Sequence, residues 1–150
     1  MRIVIQRVSS ASVTIKEAIK SEIGLGFLVL LGVETEDNQE DADYLIQKLI
    51  QLRVFSDTDG KMNLSISDVK GDIIIVSQFT LHASTKKGNR PSYIRAARPE
   101  QAIPLYEYFI QQTQSQFEGK VLTGEFGADM KVNLVNDGPV TILMDSKQKD

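Results

Sequence analysis

The β-branched run Ile73-Ile74-Ile75-Val76 gives way to Ser77-Gln78-Phe79-Thr80-Leu81, the first place where this sequence could do chemistry. Thr80 offers a hydroxyl, and Gln78 both a donor and an acceptor. Where a strand leaves a core, backbone N–H groups can be left unpaired and aimed at a developing oxyanion. Ser and Thr also fill strand edges with no chemical role, so both readings stand at this point. The second place is Asn136-Asp137-Gly138-Pro139-Val140-Thr141. Asn-Asp-Gly is turn chemistry, and proline sets the backbone angle that follows. The segment reads either as a plain turn between strands or as a rigid main-chain probe. In the second reading a cis Gly138-Pro139 bond would turn two carbonyls to one side.

The usual catalytic tools are missing. There is no cysteine, which removes thiol nucleophiles, thiolate metal sites and disulfides. The single histidine, His82, follows Ser77 and Thr80 too closely for the usual nucleophile–base arrangement, and it is expected to be a solvated loop residue. No HExxH, aspartate cluster, Walker loop or GxGxxG accompanies it. Gly24-Leu25-Gly26 is better read as a turn before a buried strand. No metal and no cofactor are expected, so catalysis would rest on backbone dipoles, hydroxyls and the substrate itself.

The elements that must position these residues follow from periodicity. Residues 2–8 and 11–15 read as two strands joined through Ser9-Ser10, with a polar turn and a short return strand at 19–23. The continuous apolar run 25–33 reads as a strand buried on both faces. Ala42, Leu45, Ile46, Leu49 and Ile50 follow helical spacing behind a cap at Asp37 or Asn38. A short strand at Val54-Phe55 precedes an Asp-Gly turn, and a second turn at Lys70-Gly71-Asp72 leads into the run at 73–76. Residues 82–98 read as loop, and Pro99 suits the first position of a second helix whose stripe is Ala102, Leu105, Tyr106, Phe109 and Ile110. Strands at 121–126, 130–135 and 140–144 close the chain, and a tail from Ser146 is expected to fray. Strands with two helices that do not alternate one for one predict an α+β fold, and 150 residues predict a single domain.

Composition is that of a globular protein, with 41% hydrophobic and 25% charged residues. Charge breaks the first seven residues too early for a signal peptide, and the apolar run 25–33 is far short of the roughly 20 residues that span a bilayer. A cytoplasmic protein with no membrane association is the expectation. The net charge of −3 is unevenly spread. No acidic residue lies between Asp72 and Glu100, a stretch that carries Lys86, Lys87, Arg90, Arg95 and Arg98. This local +5 leaves −8 on the remainder, and such polarity can make one basic face on an acidic body, or simply a solvated loop.

The two motifs, 59 positions apart, resemble the signature motifs of D-aminoacyl-tRNA deacylases. The opening Met1-Arg2-Ile3-Val4-Ile5-Gln6-Arg7-Val8, the glycine-flanked strand and Lys87-Gly88-Asn89-Arg90-Pro91-Ser92-Tyr93 are similar to that family too, so the likeness covers nearly the whole chain. The resemblance implies a carboxylic ester hydrolase that frees D-amino acids from tRNA as a proofreading step in translation, and that also removes glycine from some mischarged tRNAs. It implies a layered sandwich with barrel-like β-sheets and two main helices, working as a homodimer. Ser77, Gln78, Phe79 and Thr80 would form the catalytic pocket, with the Phe79 N–H facing the oxyanion. Thr80 has been considered as nucleophile; assistance by the 2′-hydroxyl of the tRNA is the favoured alternative, since no base for Thr80 is evident. Gly138 and Pro139 would reach into the partner's pocket, hold the substrate α-amino group and leave no room for an L side chain. Lys86, Lys87 and Arg90 would hold the tRNA by its phosphates. The competing expectation is a non-catalytic tRNA- or nucleic-acid-binding module.

Overall fold

The computed structural model describes residues 1–150. Strands β1 (Arg2–Ile15), β2 (Ala18–Ile23) and β3 (Gly26–Gly32) are followed by helix α1 (Gln39–Gln51). A small hairpin, β4 (Phe55–Ser56) with β5 (Met62–Leu64), leads to β6 (Asp72–Ser77). A 3₁₀ turn at Phe79–His82 and a long loop precede α2 (Pro99–Gln116), β7 (Val121–Thr123) and β8 (Lys131–Asp145). The main sheet runs β2-β1-β3-β6-β7, and β8 pairs with β1. The β3/β6 and β6/β7 pairings are parallel, and the others are antiparallel. The architecture is α+β, with two helices and a sheet that curls almost into a barrel.

The curl comes from β1. The Ser9-Ser10 break expected between two strands is instead an exposed stretch inside one 14-residue strand. One edge of β1 pairs with β3 through residues 2–8 and with β2 through residues 11–15, while β8 follows its other edge throughout. Ser21 Oγ of β2 donates to the Thr123 carbonyl of β7 at 2.6 Å, drawing the far edges of the sheet together.

The apolar run of β3 serves two cores, which is why its hydrophobicity does not alternate. Phe27, Val29 and Leu31 pack with Ile73 and Ile75 under the helices. Leu28 joins Ile74, Val76, Val8 and Val13 on the other face. Helix α1 begins at Asn38, whose side chain accepts from the Glu40 and Asp41 N–H groups while Asp41 accepts from the Asn38 N–H, a reciprocal cap. Asp37, the other candidate cap, is buried instead against the Met1 ammonium at 2.6 Å. Pro99 opens α2, and the helix continues through Pro104.

Three expectations are corrected. The tail does not fray at Ser146: that residue is buried, its N–H donates to the Met1 carbonyl, and Lys147 pairs with Asp41 at 3.2 Å. His82 is not solvated but fully buried. The strands expected at 130–135 and 140–144 are one strand, interrupted by a protrusion. Polarity obscured the first two, because Ser146 and His82 are buried through partners distant in sequence, Met1 and Gly32; turn residues obscured the third, because the strand resumes its pairing with β1 beyond them.

Candidate active site

Strand β6 ends at Ser77, and the Gln78 N–H makes its last rung with the Leu31 carbonyl at 2.8 Å. The chain then folds into the tight turn Phe79–His82, where Leu81 N–H returns to Gln78 O and Ala83 N–H to Thr80 O. The N–H groups of Phe79 and Thr80 have no hydrogen-bond partner, as expected for the first donors of a helical turn. Gln78 Nε2 donates to Thr80 Oγ1. Ser77, Gln78 and Thr80 are half-buried, and Phe79 is exposed. The turn therefore brings all four predicted residues together, with two main-chain donors free.

The turn is anchored on three sides. Besides the Gln78 rung, Arg2 Nη1 donates to the Leu81 carbonyl at 3.0 Å, and His82 Nε2 meets the Gly32 carbonyl at 3.0 Å. The other ring nitrogen of His82 has no partner. Gly32 permits this approach: a Cβ there would sit 2.9 Å from Gln78 O and 3.1 Å from His82 Cδ2. Arg2 is itself held by Asp145 at 2.7 Å, and the Asp145 carboxyl lies below its usual range because these bonds outweigh the upward push of burial.

The second motif protrudes from β8. Asn136 pairs with Val8 and Thr141 with Gln6, so residues 137–140 bulge out opposite the single residue Arg7. The Gly138-Pro139 bond is cis. Asn136 closes the bulge from within, accepting from the Val140 N–H at 3.1 Å and donating to Thr141 Oγ1 at 2.9 Å. Arg7 closes it from below: Nε donates to Asp137 O at 2.9 Å and Nη1 to Val54 O at 2.6 Å. Gly138 has φ +131, and a Cβ on it would lie 2.7 Å from Arg7 Nη2, so only glycine fits.

Sequence reasoning gave no role to Arg7 or Asp137. A signal for Arg7 was present, since it shares the inward parity of Ile3 and Ile5, where a cation needs buried partners. Within one chain the two motifs stand apart. The Phe79–His82 turn is anchored beside the Arg2–Gly32 pair and the bulge lies opposite Arg7, five residues along β1, or roughly 17 Å at strand rise. Lys86, Lys87 and Arg90 lie exposed in a loop closed by two Ser84–Ser92 backbone bonds. No three His, Asp or Glu side chains converge in a way that could hold a metal.

Comparison with known proteins shows the family. The family described as D-Tyr-tRNA(Tyr) deacylase matches residues 4–145. A D-aminoacyl-tRNA deacylase of Phocaeicola vulgatus is 63% identical and one of Flavobacterium johnsoniae 60% identical, each over 100% of both chains. Among solved structures, a c-Myc DNA unwinding element binding protein shares 41% identity at TM-score 0.92, covering 97% of this chain and 98% of that one. A probable eukaryotic D-amino acid tRNA deacylase shares the fold at TM-score 0.81 and 17% identity, covering 96% of this chain and 98% of that one.

Proposed function

This chain belongs to the D-Tyr-tRNA(Tyr) deacylase family, and on that premise we propose how its residues carry out ester hydrolysis on D-aminoacyl-tRNA. It is an enzyme of that activity, acting in chiral proofreading. The observation that carries the catalytic reading is the pair of unpartnered N–H groups on Phe79 and Thr80, presented by a turn anchored on three sides. Water adds to the ester carbon, and the negative oxygen of the tetrahedral intermediate sits against these donors, already oriented and costing no reorganisation. The bond to the ribose oxygen then breaks and that oxygen takes a proton.

Thr80 is not the nucleophile in this scheme. Its hydroxyl oxygen accepts from Gln78, no carboxylate or imidazole bonds it, and the chain's one imidazole is buried against Gly32. An unactivated hydroxyl attacks poorly, so the 2′-hydroxyl of the terminal ribose assists the water. Gln78 and Thr80 hold that ribose and Ser77 shapes the pocket floor.

The working unit is a homodimer. Cross-strand neighbours Leu143, Val4 and Leu30 form an apolar row on one face of the sheet, with Leu143 66% exposed. A second copy covers this row and brings its Gly138-Pro139 bulge to the catalytic turn, since within one chain the two are attached to β1 five residues apart, roughly 17 Å at strand rise. The bulge carbonyls hold the α-amino group and exclude L side chains, while glycine, lacking a side chain, is accepted. Lys86, Lys87 and Arg90 take the tRNA phosphates. The reaction needs no metal and takes place in the cytoplasm; no helix is long and apolar enough to cross a membrane. A non-catalytic RNA-binding module would have no use for the two free donors.

Single-turnover deacylation of D-Tyr-tRNA and L-Tyr-tRNA in EDTA tests the proposal. Rapid loss of the D ester alone is expected. Hydrolysis of neither would leave the binding-module reading, and hydrolysis of both would leave an esterase without a chiral pocket.

A further inference from the structure

Beside the catalytic turn, Phe79 and Tyr93 form an edge-to-face pair with ring centroids 4.9 Å apart and planes at 71°. The chain's other aromatic pairs involve core residues, Phe27 with Phe55 and Tyr106 with Phe126. This one lies on the surface: Phe79 is 54% exposed, Tyr93 38% and the adjoining Ile94 84%. The backbone that carries Tyr93 is held, with Ser92 bonded to Ser84, Ala96 N–H to Tyr93 O, and Thr35 N–H to Arg95 O. The rings are therefore presented by an ordered segment. In the segment that carries Tyr93, Lys86, Lys87, Arg90 and Arg95 are exposed, and none takes part in an ion pair. An apolar, aromatic patch flanked by unneutralised cations matches the makeup of a surface that binds unpaired nucleic acid.

We infer that the Phe79–Tyr93 pair is a stacking platform for unpaired nucleobases at the aminoacylated end of the tRNA, with the Lys86–Arg90 loop taking the phosphates that lead to them. The inference rests on the deacylase reading, and it adds a contact to bases. Phe79 links platform to chemistry, since its N–H faces the reacting carbonyl while its ring lies outside. Bases on that ring belong to nucleotides next to the ester. Every base has a π face, so such stacking is tolerant of sequence. A second copy of this chain is the poorer occupant. A twofold interface sets the same patch against itself, and here that would oppose four cations to four cations.

The test compares the parent with Tyr93→Ala and Tyr93→Phe on two substrates, D-Tyr-tRNA and D-tyrosine esterified to methyl riboside, a short ester that keeps the 2′-hydroxyl and has no base. Tyr93→Ala is expected to raise KM for the tRNA ester roughly tenfold, the scale of one lost stack, with kcat and the activity on the short ester unchanged. Tyr93→Phe is expected to behave as the parent. An unchanged KM would overturn the inference. So would an equal loss on both substrates, which would make the ring a prop for the turn. A change in the mass of the Tyr93→Ala protein by light scattering would likewise overturn it in favour of a second copy. If the parent hydrolyses neither ester, the deacylase reading fails by itself. Binding of uncharged tRNA to parent and Tyr93→Ala then decides the platform, a tenfold weaker Kd supporting it and an equal Kd sinking it.

Discussion

At the scale of the residue, the site is built from groups that hold others in place. Thr80 accepts a hydrogen bond from Gln78 and has no base, so Thr80→Ser keeps the hydroxyl and is expected to keep most single-turnover activity. A loss on the order of 10³-fold, the scale of a lost oxyanion donor, would give the threonine side chain a direct role. His82 acts one step further out, holding the turn to the end of β3 through the Gly32 carbonyl. His82→Leu leaves that carbonyl without its donor, a loss of about 1–3 kcal/mol for a buried group. Its kcat is expected to fall with KM unchanged, while His82→Gln, which can still donate, recovers most of the rate. Equal kcat in all three proteins would mean that Arg2 and the Gln78 rung hold the turn without it.

At the scale of the element, β1 is the ruler that separates the two motifs. Its N-terminal end carries Arg2 next to the catalytic turn, and Arg7 five residues on carries the bulge. Two inactive proteins follow from that spacing. Gly138→Val clashes with Arg7 and Val140 in the bulge, and Gln78→Ala/Thr80→Ala empties the turn. If the bulge works in the partner's site, a mixed dimer of the two regains one intact site, so about half the parental activity per dimer is expected. Activity no higher than that of either homodimer would place the bulge and the turn in the same chain. Much of this element scale was legible beforehand: the helix at Asn38, the start of α2 at Pro99 and the doubly buried β3 all follow from local pattern. The unbroken β1 was not, because Ser9 and Ser10 look like a break until β8 is seen to pair across them.

At the scale of the whole molecule, the chain ends fasten the site from behind. Met1, Asp37, Asp41 and Ser146 form one buried polar cluster, closed by the exposed Lys147 and joined to the catalytic turn through Asp145 and Arg2. Burial pushes the carboxyls of Asp41 and Asp145 up. Bonds from Ser146, Asn38 and Lys147 on the first, and from Arg2 and Lys147 on the second, outweigh it and leave both below the usual range. A carboxyl lowered in the folded state contributes stability above its unfolded value, about 3.9, which is lost as pH falls through the lowered value. The tail is therefore expected to keep its full amide-exchange protection between pH 5 and 8 and to lose it progressively as pH falls from about 4 through the lowered values. Protection factors for Lys147 and Gln148 that do not fall at all as the pH is taken down through that range to full protonation would count against this fastening.

The sequence alone determined what local chemistry determines. Hydrophobic spacing set the helices and strands, the absence of cysteine and the single histidine removed whole classes of mechanism, and two short motifs marked where to look. Only the tertiary structure decided which polar groups are buried and what they bond. His82 reads as a solvent-loving residue until Gly32, 50 positions away, supplies its partner. Arg7 shares the inward parity of Ile3 and Ile5, but only the fold shows that Val54 and Asp137 receive its guanidinium. Burial of a polar side chain depends on a partner brought from elsewhere in the chain, and no local pattern records that partner.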